Sequence, residues 1–202
     1  MPQDDFKSGP QEGRGQIADR PPVAMDGQTV VASDPAAELQ QYREFVERVA
    51  SERSGELIFN RSESHAAIVV EYLFRTATCE INILTQRLYT PVYSAPELFD
   101  AAKDFLSKPT ARLNIISEEE IQDDHPLIKG LLDAGFGQKV SRRMMTPEAV
   151  ASTPFDFAVA DGACFRFEPD KKSMAALVKF GDETFGKTLA EKFQEIPTRK
   201  AA

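Results

Sequence analysis

An Asp-Gly pair, Asp161-Gly162, sits between two apolar runs, FDFAVA (155–160) and ACFRFE (163–168). No other feature constrains the chain so tightly. An Asp-Gly link between runs rich in β-formers specifies a hairpin, because both central residues of the favoured turn need positive φ. An isolated hairpin is marginal in water, so this one needs further strands or helices to pack against. The flanking sequence offers both. AALVKF (175–180) reads as a further strand. Gly181-Asp182 then leads into a helix with Phe185, Leu189, Phe193 and Ile196 on one face, ended by Pro197.

Upstream of the hairpin the pattern alternates between helix and strand. Ser33-Asp34-Pro35 starts a helix that runs to about Arg53, with Leu39, Tyr42, Val46 and Val49 at helical spacing and Ser54-Gly55 as its stop. ELIFN (56–60) is a short strand. A helix over 62–76 follows, with an apolar stripe wide enough to imply burial on more than one side. CEINILT (79–85) is a strand. Ser94-Ala-Pro-Glu97 has the form of a capping box for a helix whose inner face is Leu98, Ala101, Ala102, Phe105 and Leu106, with Pro109 as its stop. RLNIIS (112–117) is a strand, and Asp124 is expected to cap a short helix that Gly135 ends. Residues 138–142 form a weaker strand. The order implies one α/β domain over 33–202: a mixed, mostly parallel sheet with helices on both faces.

Residues 1–32 are rich in Gly, Pro, Gln and Asp and poor in large apolar side chains, so they are expected to form a disordered tail. The tail is either a solvated extension or a segment that meets a partner. The N-terminus has no apolar signal-like core, and no apolar run approaches the roughly 18 residues of a membrane span. The lack of such a run makes a membrane partner unexpected, while Cys79 and Cys164 lie far apart in apolar segments and read as buried thiols of a reducing compartment, which points to the cytoplasm. Two Cys and two His without short spacing give no zinc site, and no cofactor motif is visible. The net charge of -8, with basic residues scattered, makes a nucleic-acid partner an unfavoured expectation.

Two stretches carry a family resemblance. FNRSESHAAIVVEYLFRTATCEINILT (59–85) is similar to the first helix and strand of the phospholipase D-like fold. The segment from FDFAVADG to the final helix is similar to the part that carries that family's catalytic hairpin. With the αβ unit between them, the resemblance spans about 55–196, one repeat of the fold. Active members carry H-x-K-x-x-x-x-D-G, where the His attacks phosphorus and the Lys, with a nearby Asn, binds phosphate. Two such motifs, from two repeats or two subunits, complete one site. Here Asp161-Gly162 matches the D-G. Pro154 stands at the His position and Asp156 at the Lys position. Proline cannot act as a nucleophile, and an aspartate in place of the lysine repels phosphate. The G-S-x-N stretch is not evident; Phe180-Gly181-Asp182 occupies about its place. What the resemblance implies is therefore a non-catalytic binding or regulatory module with an unknown protein partner or a second copy of itself, since single-repeat members commonly pair as homodimers.

The alternative is a phosphodiesterase or nuclease with relocated groups. Its candidates are His65, His125, Lys129 and Asp161. His125, Lys129 and Asp133 fall at i, i+4 and i+8, on one helix face, although a solvated face is the commoner meaning of such spacing. His65 lies in the first turn of a largely buried helix, where a hydrogen-bonded histidine is commoner than a ligand. Asp161 is also ordinary turn chemistry. Glu118-Glu119-Glu120 with Asp123-Asp124 follows a strand, where a divalent cation is conceivable and a solvated loop more usual. Arg142-Arg143-Met144-Met145 fits an acidic partner, a phosphate or plain packing. A third reading is a phosphate or nucleotide sensor without turnover.

Overall fold

The computed structural model places helices against both faces of one sheet. It describes residues 34–173 and 175–200, which belong to one compact unit. The expected tail lies outside the described residues. The helices are α1 (Pro35–Glu52), α2 (Glu63–Thr76), α3 (Thr90–Tyr93), α4 (Pro96–Ser107), α5 (Pro126–Asp133), α6 (Pro147–Ser152) and α7 (Glu183–Glu195). The strands are β1 (Ile58–Asn60), β2 (Glu80–Thr85), β3 (Arg112–Ser117), β4 (Val140–Met145), β5 (Asp156–Ala160), β6 (Cys164–Glu168), β7 (Ala176–Phe180) and β8 (Thr198–Lys200). They form one mixed sheet in the order β1-β7-β6-β5-β2-β3-β4-β8.

The fold is α/β with helices on both faces. Successive strand residues join opposite cores, as the two-residue period of a strand requires. Ile81, Ile83, Leu113, Ile115, Ala158 and Ala160 meet the large core built with α1, α2, α4 and α5. Leu84, Ile116, Phe157, Val159 and Phe165 meet a smaller core with Leu189, Phe193 and Ile196 from α7 and its end. One expectation needs correction: the sheet is not mostly parallel. Only β2–β3 and β3–β4 run parallel, and the other five pairings are antiparallel. The αβ crossovers account for the parallel part. The hairpin, β7 and β1 extend one edge antiparallel, and β8, past Pro197, closes the other.

Several local expectations also change. Arg53, at φ 48, takes the left-handed position at the end of α1 before Ser54-Gly55 is reached. Ala95, not Ser94, precedes α4, and no side chain caps that helix. Ser94 is instead used to end α3, a turn the sequence pattern did not suggest. His125 rather than Asp124 precedes α5, again without a side-chain cap. A 3-10 turn over Gly137–Lys139 displaces the weak strand to Val140–Met145. Cys164 is buried as expected, but Cys79 is exposed because it lies one residue before β2.

The hairpin forms with Asp161 and Gly162 at φ 51 and 62, and Ala163 N–H donates to Ala160 O at 3.0 Å. Helix α7 lies on this turn at Gly186. A Cβ there would meet Gly162 O at 2.5 Å and Ala163 N at 2.8 Å, both rigid backbone atoms. Gly186→Ala should therefore lower stability by about 2 kcal/mol, even though alanine is the better helix former by about 1 kcal/mol. Denaturant unfolding of the two proteins checks this. A neutral or stabilising result would show that α7 can lift off the turn.

Candidate functional site

At the end of the sheet opposite the hairpin turn, β2 marks a change of direction. It pairs parallel with β3 on one side and antiparallel with β5 on the other. Ligand crevices in open α/β sheets form at the carboxyl ends of strands beside such switches. A cleft of about 270 Å³ opens there. Thr85, Gln86 and Arg87 leave β2 into it. Tyr89, Val92 and Tyr93 enter from α3 and the segment before it. Asp156 comes from the start of β5, Arg166 and Glu168 from β6, and Lys171, Lys172 and Ser173 from the following loop.

The sequence builds an ionic floor here. Asp156 and Glu168 are direct cross-strand partners, and Arg166 lies two residues from Glu168 on the same face. Asp156 and Arg166 are only 7% and 6% exposed. The Arg166 guanidinium is paired with Glu168 and donates Nε–H to Asn60 Oδ1 at 3.1 Å. The Lys171 ammonium is paired with Glu118 and donates to Thr153 O at 3.0 Å. Asp156 Oδ2 accepts from Gln86 N–H at 2.9 Å and from the Thr85 hydroxyl at 3.2 Å, while Oδ1 is buried with no partner among the described residues. Burial, reinforced by Glu168 and Glu118, pushes the Asp156 carboxyl up to about 6 against the hydrogen bonds from Gln86 and Thr85. Burial likewise raises the Tyr93 phenol above its ordinary value.

The four residues named from the sequence do not meet. Asp161 is at the far end of β5, about 16 Å from Asp156 at 3.3 Å per strand residue. There it accepts from Thr78 N–H and hydroxyl at 2.6 and 2.8 Å and from Cys79 and Glu80 N–H at 2.9 Å each, so it ties the turn to the start of β2. Gly181, near the expected G-S-x-N place, is also at that end, with its N–H on Ala163 O. His65 stacks on Tyr42 with ring centroids 3.8 Å apart, and burial lowers its pKa.

His125 borders a second depression, of about 330 Å³, with Glu119, Glu120 and Asp124. Its Nε2 is 3.0 Å from Leu88 O, its Nδ1 is buried without a partner, and burial lowers its pKa. Lys129 is paired with Asp133 at 2.6 Å on the exposed face of α5.

Several of the remaining candidates are held by contacts within the fold. Arg142 binds Ile121 O and Asp123, Arg143 lies over the Phe193 ring, and Met145 is core. Among the described residues, no three His, Cys, Asp or Glu side chains gather into a metal-holding group, and no helix is long and apolar enough to cross a membrane. Sequence reasoning noticed Asp156 only as a misfit at a lysine position, and it missed Arg166, Glu168, Lys171 and Tyr93. The one available signal was Arg166 in CFRFE, a charge on the strand face that Cys164 shows to be inward.

No protein-family model matches this chain, and no curated protein matches it either. Solved structures with a similar arrangement include TrmBL2, an archaeal chromatin protein whose structure is described as showing a novel mode of DNA binding. That similarity has 15% identity and a TM-score of 0.49 and covers 79% of this chain and 60% of that one. Polyphosphate kinase from Porphyromonas gingivalis is similar at 12% identity and TM-score 0.48, over 82% of this chain and 30% of that one. NucT from Helicobacter pylori is similar at 10% identity and TM-score 0.43, over 70% of this chain and 96% of that one. This chain thus spans well under two thirds of the kinase and 60% of TrmBL2. Identities this low concern the arrangement of elements and say nothing about the cleft.

Proposed function

We propose that this chain is a phospholipase D-like domain that binds a ligand in the β2–β5 cleft, or a partner at its rim, without turning it over. It would act in the cytoplasm, alone or as a homodimer. One observation carries the reading. The strand position that would hold the phosphate-binding lysine is Asp156, buried beside Glu168 in the cleft. With Glu168 already paired to Arg166, the Asp156 carboxylate is the charge at the floor that repels a phosphodiester, and Pro154 offers no nucleophile. Neither histidine lines the cleft to replace it.

The test is an assay of the purified protein on single- and double-stranded DNA, RNA and a generic phosphodiester, with and without divalent metal. We expect no cleavage above a blank. Cleavage abolished by His65→Ala or His125→Ala would overturn the reading in favour of an enzyme with relocated groups. Tight, salt-dependent DNA binding without cleavage would keep the module and make nucleic acid its partner.

A further inference from the structure

We infer that the cleft binds a small zwitterion of amino-acid type, with its ammonium held at Asp156 beside Tyr93 and its carboxylate met by Arg87 and Lys172 at the mouth. This deepens the reading of the cleft as a binding site and rests on it. Asp156 is nine-tenths buried, lines the cleft, and keeps one carboxylate oxygen without a partner among the described residues. A buried acceptor left unpaired is costly, and a ligand N–H donor removes the cost. The charges around Asp156 call for a cation. Glu168 faces it across the β5–β6 ladder, and Glu118, after β3, also opposes its ionisation. The nearby cations are committed elsewhere, Arg166 to Glu168 and Asn60, and Lys171 to Glu118 and Thr153. An ammonium group supplies the missing counter-charge.

The mouth has the opposite character. Arg87 and Lys172 are exposed there, and Lys172 has no ion-pair partner among the described residues. Acid at the floor and base at the rim match a molecule with a cation at one end and an anion at the other. A volume of about 270 Å³ suits a molecule of amino-acid size. Inorganic phosphate fits the rim but not the floor.

The experiment uses the full chain and compares glycine, β-alanine and 4-aminobutyrate with acetate, propionate and butyrate, and with inorganic phosphate, by calorimetry and amide NMR shifts at pH 7.5. We expect at least one amino acid to bind about tenfold tighter than its deaminated counterpart, with shifts at Gln86 and Asp156. Asp156→Asn should erase that difference. Lys172→Ala should weaken amino acids and plain carboxylates alike. Lowering the pH to 5 should weaken the amino acid severalfold, because Asp156, faced by the Arg166–Glu168 and Lys171–Glu118 pairs, is pushed up to about 6 and gains a proton over that range. Equal affinity within every pair, phosphate binding tighter than any amino acid, or a preference unchanged by Asp156→Asn would each overturn the inference. Phosphate binding without cleavage would still leave the binding module standing, whereas phosphodiester cleavage would remove the module itself. Should Asp156→Asn not fold, the paired ligands on the native protein decide alone.

Discussion

Asp161→Ala is expected to destabilise the protein by about 3–4 kcal/mol at pH 7. The carboxylate accepts four hydrogen bonds, from Thr78 N–H and hydroxyl, Cys79 N–H and Glu80 N–H. Hydrogen bonds to a charged group contribute about 1.5–3 kcal/mol each when counted singly, and less than their sum when they share one acceptor. Alanine must also adopt φ near 51, which costs about 1–2 kcal/mol for a residue that gains nothing there. Asn tolerates that conformation and keeps one acceptor, so Asp161→Asn should cost roughly half as much.

The effect has a pH signature. Burial works to raise the Asp161 pKa, but the hydrogen bonds from Glu80, Cys79 and Thr78 outweigh it and hold the carboxyl below the usual range. A depressed folded-state pKa gives stability that is present above the unfolded value of about 3.9 and is lost as the pH falls through the folded one. The gap between native protein and alanine variant should therefore be full at pH 6–7 and narrow in strong acid. Urea unfolding across that range reads it directly. A loss under 1 kcal/mol would mean that the turn holds to β2 by other contacts.

The hairpin was the most legible part of the fold because its information is local. Asp161-Gly162 sets two positive φ values, and FDFAVA and ACFRFE already carry both strand faces. RLNIIS was equally legible, since β3 spans the expected residues. What stayed hidden depends on long-range geometry. Nothing in 198–200 marks an edge strand until β4 is beside it. Thr90–Tyr93 is too short for a helical period, yet it supplies Tyr93 to the cleft. The αβ alternation upstream of the hairpin implies parallel pairs, and β2–β3 and β3–β4 are parallel, but the hairpin joins β2 and extends the sheet antiparallel from it.

The cleft was hidden for a related reason. Asp156, Arg166, Lys171 and Tyr93 are brought together by strand register and by loops that follow different strands. The spacing of His125, Lys129 and Asp133 drew attention because it lies within one helix, where sequence shows proximity most easily. In the fold Lys129 and Asp133 pair with each other on α5, while His125 precedes that helix and its Nε2 lies 3.0 Å from Leu88 O. The residue that linked the motif to the cleft was Asp156, visible in sequence as a departure at one position.

Asp156→Asn is expected to raise the stability of the unliganded protein by about 1–2 kcal/mol at pH 7.5 and to leave it unchanged or lower at pH 4. The carboxyl is pushed up to about 6 by burial, with Glu168 and Glu118 adding to it, against about 3.9 in the unfolded chain. Between those two values the folded protein holds a proton that the unfolded chain releases. The stabilising contribution is thus fully present below about pH 4 and is lost as the pH rises through about 6. Two units at 1.36 kcal/mol each place the cost of the buried charge at about 3 kcal/mol above that window. Asparagine removes the charge and keeps an oxygen for Gln86 N–H and the Thr85 hydroxyl, but its amide donors need acceptors, which takes back about 1 kcal/mol. For a chain of this size the net gain corresponds to a melting temperature higher by about 2–8 °C. Thermal unfolding of both proteins from pH 4 to 7.5 should show curves that diverge above pH 5. Parallel curves at every pH would show that Asp156 acts only as a neutral acceptor for Gln86 and Thr85. Diverging curves would mean that the folded protein keeps an unstable charge at the floor of a cleft, as expected of a group whose counter-ion arrives with a ligand.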